Sequence, residues 1–141
     1  MDAVMLSLLA SFFWGTTVVA EKVIVDLDVD IRTLACLKHL IGSVCFMVWL
    51  MASSGERQLI VPRAAWTPLM YTAIVGSFLG FWFYFSALEI EDSSKVAFIS
   101  STYPLFAVLT ALVVLNEEVN YAFLAGGGGL ILTGVYIISQ A

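Results

Sequence analysis

Long apolar stretches alternate with short polar breaks along this chain. The first stretch runs from about Ala3 to Val25 and stops at the acidic turn Asp26-Leu27-Asp28-Val29-Asp30. The second runs from about Thr33 to Ala52. It is followed by the longest polar break, which opens with Ser53-Ser54-Gly55-Glu56-Arg57 and ends near Pro62-Arg63. The third covers Trp66 to Leu88 and stops at Glu89-Ile90-Glu91-Asp92; the fourth covers Ser94 to Leu115 and stops at Asn116-Glu117-Glu118. The fifth covers Tyr121 to Ser139. A helix of roughly 20 apolar residues crosses the hydrocarbon core of a bilayer. The third and fifth stretches have almost no polar face, so a soluble helical bundle is excluded. The pattern predicts an all-α integral membrane protein of five transmembrane helices, with four spans and one re-entrant segment as the main alternative.

Composition agrees with that reading. Of 141 residues, 61% are hydrophobic and 12% charged, about half the charged share of an ordinary soluble domain. The net charge of −5 sits mostly in the short breaks, and so few Lys and Arg residues exclude a nucleic-acid partner. Five spans put the two ends on opposite faces of the membrane. Orientation follows Lys and Arg, yet Arg57 and Arg63 on one side face Arg32 and Lys95 on the other, with Lys22 close by. The balance permits insertion either way round. The Met1-Asp2-Ala3 start carries no basic stretch, so the first segment is expected to stay as a span and not to be cleaved. Trp49 and Trp66 fall near predicted helix ends, where aromatic rings favour the interface. Cys36 and Cys45 lie about 13 Å apart on one helix, too far for a disulfide.

Polar groups within the spans are the candidate chemistry, because ionisable side chains in a bilayer are costly. Ser7, Ser11, Trp14 and Glu21 recur at helical spacing and form a stripe expected to face protein or water. Glu21 beside Lys22 reads either as a snorkelling pair at the helix end or as a pathway carboxylate able to bind a cation or a proton. Lys38-His39 lies about 8 Å inside the second helix. Lys38 needs a partner there, and Glu21, on the adjacent antiparallel helix, is a candidate; the pair either fixes packing or serves a solute. His39 titrates near neutral pH when unperturbed, but one histidine with no second ligand does not make a metal site. Glu117 and Glu118 are expected to be solvated.

Small residues mark packing. Gly76 and Gly80 form a small-xxx-small pair, and Gly126-Gly127-Gly128-Gly129 with Gly134 does the same in the fifth helix. Pro104 removes a donor and is expected to kink the fourth helix, with Ser100-Ser101-Thr102-Tyr103 able to satisfy freed carbonyls or contact a solute. There is no nucleophile elbow, phosphate loop or paired metal ligand, so neither an enzyme, a metal nor a cofactor is implied.

Several pieces in order resemble one EamA-type unit of the drug/metabolite transporter superfamily, over essentially the whole chain. They are Phe13-Trp14-Gly15-Thr16 with Ala20-Glu21-Lys22, Tyr84-Phe85-Ser86-Ala87-Leu88, Ser101-Thr102-Tyr103-Pro104-Leu105, Leu115-Asn116-Glu117, and Gly129 through Tyr136. Lys38 holds a place where the family commonly has arginine, keeping the charge without the planar fork. Asn116 stands where the family usually has glycine. The resemblance implies half of a ten-helix inverted-repeat fold, since most members carry two such units in tandem. With five helices per unit, the second enters the membrane upside down. A single unit rebuilds that architecture by pairing with an oppositely oriented copy, an antiparallel homodimer. The implied function is export of a small metabolite or amino acid across the plasma membrane by alternating access. Its cavity would be lined by Trp14, Lys38, His39, Tyr84, Ser101 and Tyr103, with Glu21 and Lys38 tuning charge selectivity or proton coupling. The alternative is a non-transporting subunit or lipid-handling helper in a hetero-oligomer.

Overall fold

The computed structural model describes residues 2–53 and 61–140, so Arg57 and most of the long polar break lie outside the described residues. Those residues are helical almost throughout. Helix α1 spans Ala3–Asp26 and α2 spans Ile31–Ala52. The third span opens with a 3₁₀ turn, Arg63–Ala65, set up by Pro62, and continues as α3, Trp66–Tyr71. It then widens into π-helical turns over Thr72–Gly80 before α4, Phe81–Ile90. The fourth span is α5, Ser93–Ser100, followed by α6, Tyr103–Val114; the fifth is α7, Tyr121–Ser139. Four stretches, Ala3–Asp26, Ile31–Ala52, Arg63–Ile90 and Ser93–Val114, are long and apolar enough to cross a membrane, and α7 contributes a shorter apolar helix over Leu124–Ser139. The protein is a multi-pass, all-helical membrane protein.

Its exterior suits lipid. Phe12, Phe46, Phe83, Phe106 and Leu130 are all exposed, and the buried apolar residues are Leu34, Phe85, Leu88 and Val96. Helices hide their own backbone polar groups, which hydrocarbon requires. The hydroxyls follow the same rule: Ser7 donates to Ala3 O, Ser11 to Ser7 O, Thr17 to Trp14 O and Ser43 to His39 O, each at 2.8–2.9 Å. Among the described residues, most of the α1 stripe expected to face protein or water is uncovered. Ser7, Ser11 and Trp14 are exposed, and Glu21 alone of the four is buried.

The chain packs as two units, one comprising Met1–Ala20 with Glu91–Ala141 and the other Glu21–Ile90. In the first unit α5 packs on α7, and Gly128 lies where a Cβ would come within 3.0 Å of Leu105 Cδ2. Gly126, Gly129 and Gly134 would meet nothing within 4 Å; the close approach belongs to Gly128. The fourth span breaks at Ser101-Thr102, immediately before Pro104, which occupies the first turn of α6 where its missing N–H costs nothing. Ser101 and Thr102 turn their hydroxyls onto Phe98 O (2.6 Å) and Ile99 O (2.9 Å), closing the carbonyls at the break.

In the second unit α2 packs on α4. Gly76 opens onto free space, whereas a Cβ on Gly80 would sit 3.3 Å from the Val75 carbonyl oxygen. Gly80 thus serves the wide π-helical backbone of its own helix. No close helix–helix approach within the chain occurs at either glycine. Cys36 and Cys45 are free thiols.

Two short connections are set by left-handed residues. Asp28 has φ 59° in the α1–α2 turn, and Asn116 has φ 51° just past α6, with Glu117 N–H closing onto Ala111 O at 3.4 Å. Asparagine tolerates this conformation better than any residue but glycine, which explains why it can stand at the glycine position of the resemblance. Replacing Asn116 by Gly should leave thermal stability in detergent unchanged or slightly raised. Asn116→Val should cost about 1–2 kcal/mol, read as a lower melting temperature.

Asp30 caps α2 by accepting from Arg32 N at 2.8 Å, while Arg32 Nε reaches the same carboxylate at 2.9 Å. That side-chain bond, then the backbone bond, holds the Asp30 carboxyl well below the usual carboxylate range. The ionised cap contributes stability above the ordinary carboxylate pKa of about 4, and the contribution is lost as pH falls through the lower folded-state value. Asp30→Asn should be less stable than the parent at neutral pH. The two melting curves should converge in acid.

Candidate functional site

The second unit gathers four of the residues singled out above: Glu21, Lys38, His39 and Tyr84. Glu21 projects from the last turns of α1 and Lys38 from the second and third turns of α2. The tight Asp26–Asp30 connection brings these parts of the two helices side by side. The Lys38 ammonium donates to Glu21 Oε1 and pairs with it. The Glu21 side chain is 6% exposed and that of Lys38 35%, so the carboxylate is the enclosed partner. The Tyr84 hydroxyl is a polar neighbour of the same carboxylate.

Aromatic rings complete the enclosure. Lys38 Nζ lies 4.5 Å from the Phe81 ring centre and 5.5 Å from that of Phe85. Phe81 and Phe85 are 5.7 Å apart, and Tyr84 packs edge-on against Phe85 at 5.5 Å. Positions 81, 84 and 85 share one face of α4 through helical spacing. A cation over a ring face is favoured by the ring quadrupole, and more so away from water.

Lys22 takes a different role from its neighbour. Its Nζ donates to Leu88 O at 2.8 Å and pairs with Asp26 at 3.3 Å. Leu88 lies in the last turn of α4, where carbonyls lack helical partners, and a positive charge is favourable at that end. Glu21 and Lys22 thus make two separate ties, one to α2 and one to α4.

His39 sits beside the pair. Its Nδ1 is 2.7 Å from Ala35 O and its ring meets Phe81 edge-on at 4.7 Å. A carbonyl only accepts, so Nδ1 is the donor in this contact. His39 borders a groove of about 290 Å³ between α2 and the third span, lined also by Ala35, Cys36, Ser77, Phe78, Trp82 and Phe85. No cluster of three metal-ligating side chains occurs among the described residues.

Trp14, Ser101 and Tyr103 belong to the first unit. Trp14 and Tyr103 are exposed, at 63% and 61%, and Ser101 is engaged at the helix break described above. Sequence reasoning missed Phe81, Phe85 and the Leu88 carbonyl. The Phe81-x-x-Tyr84-Phe85 spacing was the available signal, masked because phenylalanine in a span reads as lipid-facing.

Removing one partner of an enclosed ion pair strands the other. Glu21→Gln and Lys38→Met should each destabilise the protein, by about 3 kcal/mol at most sites of this kind. The double variant Glu21→Gln/Lys38→Met should be more stable than the Lys38→Met single. A thermal or chemical unfolding cycle in detergent reads that coupling, and additive losses would exclude it.

No curated protein and no solved structure matches the chain. The family comparison does give a match: residues 1–140 align with the EamA-like transporter family. A buried charge pair inside apolar spans fits a family of membrane transporters, and the chain belongs to it, within the drug/metabolite transporter superfamily.

Proposed function

We propose that this protein moves a small metabolite across the plasma membrane, as an exporter working by alternating access and as an antiparallel homodimer. The observation that carries the reading is the Glu21–Lys38 pair, held inside apolar spans and beside a groove of small-ligand size. Glu21 and Lys38 set charge selectivity. His39 and Tyr84 contribute polar contacts, and the aromatic wall takes the apolar body of the solute. Trp14, Ser101 and Tyr103 are offered as solute contacts on their own unit.

A second, oppositely oriented copy supplies the other half of the transport cycle. Support comes from the near-even distribution of Lys and Arg between the two sets of loops. Gly76, Gly126, Gly129 and Gly134, open within this chain, are natural positions for close approach of that copy. Amino acids and related solutes are the substrate class the family suggests.

Purified protein reconstituted into vesicles should carry flux of at least one solute from a metabolite panel. Lys38→Ala, shown to be folded, should abolish it. Unchanged flux in that variant would remove Lys38 from the pathway.

A further inference from the structure

The surroundings of the Lys38 ammonium have the chemistry of an amine receptor. One carboxylate, Glu21, accepts its hydrogen bond. Two ring faces, Phe81 and Phe85, lie at 4.5 and 5.5 Å, and the Tyr84 phenol flanks the carboxylate. Carboxylate plus aromatic faces is the combination that recognises an organic ammonium in general.

The two partners are not equivalent. Glu21 and Phe85 are almost fully enclosed, with Phe85 at 1% exposure. Lys38 brings its charge on a flexible four-carbon stem and remains about a third exposed. The receptor is therefore the fixed part and the ammonium the exchangeable one. Phe85 also walls the groove that runs past Trp82 and Phe78.

Resting on the reading that this pair serves a solute, we propose that Lys38 is a tethered competitor in an amine-binding site. The ligand class is a primary organic ammonium with an aromatic or branched apolar body. Its ammonium takes the place of Lys38 against Glu21, Phe81 and Phe85, and its body fills the partly exposed space that the Lys38 stem vacates. An anion is disfavoured, because capturing Lys38 would leave the Glu21 carboxylate enclosed and unpaired. An amine keeps Glu21 paired throughout the exchange.

Phenethylammonium is the probe, titrated by calorimetry into the full chain in lipid nanodiscs, with phenethyl alcohol as the uncharged control. Lys38→Met should bind the amine about tenfold or more tightly than the parent, since a tethered competitor acts at millimolar effective concentration or above. Lys38→Gln, which keeps a hydrogen-bond donor for Glu21, should show the same direction and serves if Lys38→Met fails to fold. In the parent protein, the amine should raise the melting temperature more than the alcohol does, and Glu21→Gln should erase that difference. Equal affinity in the parent and both Lys38 variants would overturn the proposal, as would undiminished binding in Glu21→Gln/Lys38→Met. Because binding is measured without flux, failure here leaves the transport reading standing. Absence of all flux alongside tight amine binding would do the reverse.

Discussion

A carboxylate enclosed among apolar helices is the constraint around which the second unit is arranged. Glu21 is buried among spans whose exposed side chains are mostly apolar, and a bare negative charge there would cost several kcal/mol. Lys38 must therefore stand opposite it, which fixes the register of α1 against α2. Phe81 and Phe85 must close over the ammonium, which fixes the face that α4 presents to α2. Lys22, one residue along and turned by about 100°, reaches instead to the end of α4. Two adjacent charged residues thus hold α1 to two different helices.

The irregular backbone has physical causes of the same kind. The π-helical turns at Thr72–Gly80 coincide with two glycines, and the absence of a Cβ on Gly80 leaves room for the Val75 carbonyl. π-helical turns are uncommon and frequent at functional sites. These turns supply Ser77 and Phe78 to the groove. The break before Pro104 is closed by neighbouring hydroxyls. At that break the Ser101 and Thr102 N–H groups also close onto Ala97 O and Ile99 O, in keeping with the condition a bilayer imposes.

Much of this was legible in the sequence, because spans are long and lipid imposes one solvent on all of them. Runs of about 20 apolar residues mark the helices with ends displaced by only a few residues, as where Pro62 starts the third span early. Glu21 and Lys38 stood out because charge is rare in such a setting, and antiparallel neighbours suggested the pairing. The aromatic enclosure was hidden, since Phe81 and Phe85 have the same composition signal as Phe83 or Phe106 on the exterior. Glycine patterns are indistinct for a related reason: small residues permit close approach without stating which helix approaches. Gly128, one of four identical neighbours, takes that role against Leu105, and nothing in the run distinguishes it.

The habit of serine and threonine in these helices reaches beyond local bonding. Ser7, Ser11, Thr17, Ser43, Thr72, Thr110 and Thr133 each spend their hydroxyl proton on a carbonyl of their own helix. To a neighbouring molecule they present little more than small, oily bumps. A partner in the bilayer would read this exterior as relief, by ridges and hollows, with scarcely any directional vocabulary to enforce one mating angle. Such a surface tolerates sliding and rotation against its partner at low cost. That is the mechanical consequence of hydroxyls turned inward on their own helices.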